Sequence, residues 1–199
     1  MIRGPSAAKA LAAAAQARGP RPAGVLATVI ATLLLICGCT AGRAPGPGTP
    51  GTARAPASPA SPAQAAARAA LAAYTGMWQQ MQAAGVTADW KDPRLAAYAS
   101  GQALSTLVTG LHDARDQGIV IKGTIVTHPR VVSVTPAASP DRVLVSDCLD
   151  DTHWLNYVAA TGRLQNNVPG GHHLTQAAVI GRAGRWTVSQ LVVQGPGTC

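Results

Sequence analysis

The sequence predicts an α+β domain whose helices precede an antiparallel sheet. Apolar residues recur at spacings of three and four as far as Gly118, and from Ile119 the period changes to two. Glycine and proline clusters then punctuate the strands. Helices first and strands after is the order of α+β packing, not of repeated βαβ units.

Pro62–Ala84 is predicted to be a long helix, because Leu71, Tyr74, Trp78 and Met81 form one stripe and Gly85 follows as a stop. Asp92-Pro93 reads as a cap and first helical residue of a short helix running to Tyr98. Ser100–Gln117 carries Leu104, Leu107, Val108 and Leu111 on one face, with Gly118 as its stop. Strands are predicted at Ile119–Lys122, Ile125–Thr135, Arg142–Asp150, His153–Ala159, His172–Gly181 and Trp186–Gln194. The last two are close enough to form a hairpin through Ala183-Gly184.

The segment ahead of this domain, residues 64–199, has a different composition. Residues 1–23 are basic without an acid, and Val25–Ile36 is a 12-residue apolar run. That run suits the core of a signal peptide and is short for a membrane span, which takes about 20 residues. Ile36-Cys37-Gly38-Cys39 follows and resembles a bacterial lipobox. Cleavage after the small Gly38 would leave Cys39 at the new terminus with a diacylglyceryl group on its thiol. Residues 1–38 then form the leader. Residues 39–63 form a lipidated cysteine and a Pro-, Gly- and Ala-rich tether with a reach of roughly 70 Å, at about 3.1 Å per residue. Two acyl chains hold a protein stably at a bilayer. The expected location is therefore the outer face of the cell membrane.

The full chain of 199 residues carries 16 Lys+Arg against 8 Asp+Glu, all eight acids being Asp. Six of the basic residues precede Gln64, so the domain itself has a net charge of only +2. A nearly neutral domain with scattered arginines excludes an electrostatic footprint for nucleic acid. Neither GxGxxG nor GxxxxGK[ST] occurs, so no nucleotide cofactor is expected. No CxxC or HxxxH occurs, so no metal is expected either. With Cys37 cleaved away and Cys39 lipidated, Cys148 and Cys199 remain as a pair. In an exported domain they are expected to form a disulfide.

The helix with Tyr74 and Trp78, the stretch AYASGQALSTL (residues 97–107) and the stretch DCLDDTHWLNY (residues 147–157) carry a resemblance. They are similar to a family of actinobacterial secreted or lipid-anchored proteins with a nuclear transport factor 2-like (SnoaL-like, cystatin-related) domain. The resemblance covers about residues 70–199. It implies helices packed on a strongly curved antiparallel sheet, shaped as a cone. That superfamily holds isomerases, epoxide hydrolases, polyketide cyclases and many non-catalytic members, so the fold does not decide the function.

The densest polar stretch runs from Asp147 to Tyr157. Val143, Val145, Asp147 and Leu149 share one strand face, which sets Asp147 among aliphatic residues as a candidate general base. His153 and Tyr157 share a face and could relay a proton or hold a substrate oxygen. The competing reading makes Asp150-Asp151-Thr152 a turn and pairs Asp147 with Arg130 or Arg142. Trp78, Trp154 and Asn156 are candidate ligand-lining residues. His172-His173 are neighbours on a strand, point to opposite faces and read as surface histidines. Three functions fit: a binding or accessory lipoprotein for a small apolar ligand or an envelope protein; a metal-free cavity enzyme using Asp147; and a structural role in which an exposed sheet face pairs two copies into a homodimer.

Overall fold

The computed structural model describes residues 60–199. The leader, Cys39 and almost the whole tether lie outside the described residues. The architecture is the expected one, helices packed on the inner face of a strongly curled antiparallel sheet.

Helix α1 spans Pro62–Gly85. Its start is fixed by a reciprocal cap. The Gln64 backbone N–H donates to Ser61 Oγ at 3.2 Å, and the Ser61 backbone N–H donates to Gln64 Oε1 at 3.1 Å. Ala66, Ala70, Ala73, Tyr74, Met77, Trp78 and Met81 bury one stripe of it. The small residues come first, so the helix packs closely at its start and presents bulk at its end. It touches all five strands and is the axis of the core.

Helix α2 is a single turn, Leu95–Tyr98, and starts two residues later than Asp92-Pro93 suggests. Asp92 does not cap it. Its carboxylate accepts from the Arg94 backbone N–H at 2.9 Å and forms an ion pair with the Arg94 guanidinium at 2.6 Å. Those bonds hold the Asp92 carboxyl below its ordinary range. Helix α3, Gly101–Asp116, buries Ala103, Leu107, Leu111 and Ala114 against the sheet.

The strands are β1 (Ile119–Val126), β2 (Arg130–Thr135), β3 (Arg142–Val158), β4 (His172–Arg182) and β5 (Arg185–Val193). The sheet order is β1-β3-β4-β5, and β2 pairs with β3 beside β1. Every pairing of these strands is antiparallel. The region expected as one strand over Ile125–Thr135 is broken at residues 127–129, so β1 and β2 follow each other along one edge of β3.

The larger departure is β3. Two strands and a turn at Asp150-Asp151-Thr152 were expected, whereas the chain continues as one strand of 17 residues. It contains a β-bulge. Thr124 pairs with His153 and Val126 with Asp150, so Asp151 and Thr152 together face Ile125. The extra residue reverses the pleat. Val143, Val145, Asp147 and Leu149 point inward before it. After it Trp154 faces Gly123, and Tyr157 pairs with Val120 on the outer face. Asp150 makes the bend locally, since its carboxylate accepts the Thr152 backbone N–H at 2.9 Å.

The Cys148–Cys199 disulfide is present, with Cα atoms 5.8 Å apart, inside the range such bonds require. It ties the segment after β5 to the outer face of β3. Along the way the Gly197 N–H donates to the His172 carbonyl at 2.8 Å. The Leu174 N–H donates to Thr198 Oγ1, also at 2.8 Å. The tail is thus latched by hydrogen bonds as well as by sulfur.

Candidate functional site

A cavity of about 150 Å³ lies between the end of α1, the middle of α3 and the sheet. Trp78 and Met81 come from α1, Leu107 and Gly110 from α3, Ile121 and Ile125 from β1, and Leu149 and Trp154 from β3. Leu191 and Val193 of β5 close the far side. The wall is mostly apolar; Thr106 stands on the α3 side, and Asp151, His173 and Gln194 meet on one edge. An apolar enclosure with a few converging polar groups is the ordinary form of a small-molecule site.

The bulge makes this wall. Leu149 and Asp151 point in by the first register of β3 and Trp154 by the second, so three residues within one short stretch face one space. A strand of uniform pleat would have turned Trp154 away.

Asp151 and His173 form a linked pair. His173 is 3% exposed, and its Nε2 lies 3.1 Å from Asp151 Oδ1. Its Nδ1–H donates to the Gln194 carbonyl at 2.7 Å. The Gly171 N–H also donates to Asp151 Oδ1, at 2.7 Å. Gly170 leaves room beside them: a Cβ there would overlap the Asp151 carboxylate and displace it from its partners. Both imidazole nitrogens are engaged. A carbonyl only accepts, so Nδ1 carries a proton.

This pair corrects the reading of both histidines as surface residues. His172 is exposed, but His173 shares the inward face of β4 with Thr175, Ala177 and Val179. The alternation of β4 carried that signal. Asp151 follows the inward alternation of Leu149, and the sequence concealed it because Asp150-Asp151-Thr152 has the composition of a turn.

The residues singled out from sequence are distributed as follows. Asp147 is 3% exposed and is not in the cavity wall. It pairs with neither Arg130 nor Arg142. The Tyr74 hydroxyl donates to its Oδ2 at 3.0 Å, and the His128 backbone N–H donates to its Oδ1 at 2.7 Å. Burial, and then the Asp147 charge, push the Tyr74 phenol above its ordinary value, so it remains a donor. Asp147 thereby fixes α1 and the chain entering β2 against the sheet.

His153 is exposed, and Tyr157 lies on the outer face with Lys122 Nζ 5.4 Å from its ring centre. Both follow the bulge, so they share a face with each other and not with Asp147. The structure does not bring these three together. Trp78 and Trp154 are both in the cavity wall. Asn156 pairs with Ile121 on the same side but stands outside that wall, and its carbonyl accepts the Gln165 N–H at 2.9 Å.

Neither the Trp78 nor the Trp154 indole N–H has a hydrogen-bond partner, although both nitrogens are buried. The Trp78 indole approaches the Tyr74 oxygen, with ring centres 6.3 Å apart and planes at 77°, without reaching hydrogen-bond geometry.

No family model matches the chain, and no curated protein matches it. It is similar to solved structures that include the intermembrane space region of the chloroplast protein ARC6. That match is 18% identical, covers 65% of this chain and 96% of the other, and has a TM-score of 0.49. Aln2 from a Streptomyces species is 10% identical, with 63% of this chain and 89% of the other covered and a TM-score of 0.43. A protein of unknown function with a cystatin-like fold from Nostoc punctiforme is 10% identical, with 64% and 92% covered and a TM-score of 0.38.

Proposed function

We propose that the chain is an extracytoplasmic binding lipoprotein. A diacylglyceryl group on Cys39 holds it on the outer face of the cell membrane, and its domain takes a small apolar ligand into the cavity beneath α1 and α3. The observation that carries the binding role is the cavity itself, walled by Trp78, Met81, Leu107, Ile121, Ile125 and Leu149. A volume of about 150 Å³ accommodates a molecule of benzene size. The groups that could otherwise do chemistry are engaged in holding the fold, Asp147 by Tyr74 and His128 and His173 by Asp151 and Gln194.

Export is supported by the Cys148–Cys199 bond, since disulfides persist in oxidising compartments. Among the described residues no helix is long and apolar enough to cross a membrane. In this reading attachment depends on the lipid on Cys39, with the tether setting the domain off the bilayer.

Two measurements test the two halves. Cys39→Ala is expected to move the protein from the membrane fraction to the soluble extracytoplasmic fraction; an unchanged membrane fraction defeats the anchor. Titration with toluene is expected to change the fluorescence of the cavity tryptophans saturably. Gly110 lines the cavity, and a Cβ placed there meets nothing within 4 Å. Gly110→Leu should therefore fill the space and weaken toluene binding at least tenfold. It should also leave the helix as stable or slightly more so, because leucine outranks glycine as a helix former. A wild-type protein that takes up no toluene defeats the binding role.

A further inference from the structure

We infer that a second, polar pocket binds a monoanionic polyhydroxy acid of sugar size, with its carboxylate held between Lys91 and Arg115. This site is separate from the apolar cavity and does not rest on the binding role proposed above.

The pocket lies between the segment that joins α1 to α2 and the end of α3, and has a volume of about 380 Å³. That is within the range of sites for small molecules. It is lined by Thr87, Asp89, Trp90, Lys91 and Arg115, none of which stands in the wall of the apolar cavity.

The two cations point to the carboxylate. Other charged groups beside the pocket are paired: Arg94 with Asp92 at 2.6 Å, and His112 with Asp116 at 3.2 Å. Lys91 and Arg115 form no ion pair among the described residues, although Asp89 shares the pocket with them. Neutral partners hold both heads instead. Lys91 Nζ stands 4.7 Å from the centre of the Trp90 ring, and Arg115 Nη1 donates to the Thr87 carbonyl at 3.3 Å. Trp90 is fixed in turn, half-buried against the core and met by the His112 ring at 5.0 Å. Two positioned cations thus face one concavity with their charge uncompensated. Arg115 keeps most of its donors for the planar oxygens of a carboxylate.

The hydroxyls follow from Asp89 and Thr87. One Asp89 oxygen accepts the Lys91 backbone N–H at 3.1 Å, and among the described residues nothing donates to the other. A carboxylate only accepts, so what completes it is a donor on the ligand, a hydroxyl or an ammonium. Charge decides between them. Lys91, Arg115 and Asp89 sum to +1, which a hydroxy acid neutralises and a zwitterion leaves standing. A dianion such as phosphate overshoots and meets the Asp89 charge.

The test titrates glucuronate, glucose, cyclohexanecarboxylate and inorganic phosphate into the full chain, with the ¹H–¹⁵N signals of residues 87–91 and the Trp90 indole as the readout. Glucuronate is expected to shift these signals saturably. It should bind about tenfold more tightly than glucose, which lacks the carboxylate, and about fivefold more tightly than cyclohexanecarboxylate, which lacks the hydroxyls. Phosphate should bind more weakly than glucuronate. Arg115→Gln and Lys91→Gln, both at exposed positions, should each weaken glucuronate about fivefold. Lys122→Gln removes the same charge from the outer face of the sheet and should leave binding unchanged. Glucuronate that produces no saturable shift overturns the inference. So does glucose or cyclohexanecarboxylate binding as tightly as glucuronate, or phosphate binding more tightly. An equal loss in Lys122→Gln overturns it as well, because the effect would then be one of net charge and not of this pocket. None of these outcomes bears on the toluene titration, which reads the other cavity.

Discussion

Replacing Cys148 and Cys199 together with serine is expected to destabilise the domain by about 4 kcal/mol. The bond joins residues 51 apart in sequence, and closing a loop of that length removes about this much freedom from the unfolded chain. For a domain of this size the loss corresponds to a fall in melting temperature of roughly 12–20 °C. A second effect should accompany it. The bond holds the tail along which the Gln194 carbonyl receives the His173 imidazole, and His173 in turn meets Asp151 at the cavity edge. The serine variant should therefore lose hydrogen-exchange protection at Leu174 and Gly197, whose N–H groups bond across this tail, more than in α1. Thermal unfolding followed by circular dichroism, with and without a reductant, measures the first effect. A variant that melts within about 3 °C of the parent would show that the hydrogen-bonded latch holds without the sulfur.

The second large effect is expected at Gly123. Its φ is +112°, a conformation that side chains rarely adopt, and a Cβ there would overlap the carbonyl oxygen of His153. The obstacle is backbone and cannot swing aside. Gly123 pairs with Trp154, two positions along β1 from the residue that faces the bulge, and lets the backbone of β3 come close there. Gly123→Ala is expected to cost about 4 kcal/mol or more, which in a protein of ordinary stability consumes a large part of the total. Gly184→Ala is the control for the φ effect. Gly184 also has positive φ, at +77°, but a Cβ there meets nothing within 4 Å, so its loss should be limited to about 1 kcal/mol. Comparable losses at the two positions would mean that backbone conformation, and not the contact with His153, makes Gly123 necessary.

The helices were legible because their information is local. Tyr74, Trp78 and Met81 repeat with the helical period, and nothing distant changes which way they point. The switch to period two at Ile119 was legible for the same reason, as was the disulfide, which followed from counting cysteines. The misreadings share a different cause. Asp150-Asp151-Thr152 has the composition of a turn, and pairing with β1 on one side and with β4 and Gly171 on the other keeps it extended. His173 looked like a surface residue because a histidine needs partners before it can be buried. Its partners are a carbonyl 21 residues later and a carboxylate 22 residues earlier. Asp147 was correctly placed among aliphatic neighbours, but the tyrosine that occupies it comes from a helix 73 residues away. The candidate site was half visible: Trp78 and Trp154 stand in the cavity wall, and the acid–imidazole pair beside them was hidden by a turn-like composition and by partners distant in sequence.

That bulge also bears on how the gene can vary. Insertions and deletions are usually absorbed in loops, and a strand centre written Asp-Asp-Thr resembles one closely enough to look permissive. Here a single lost codon at Asp151 or Thr152 would act on the side chains as a frameshift acts on a message. Everything downstream in β3 would keep its identity and change its side, with Trp154 turned out and His153 and Tyr157 turned in. Homologous genes that preserve the cavity should therefore vary in length at residues 166–169 and hold the count between Leu149 and Trp154 constant.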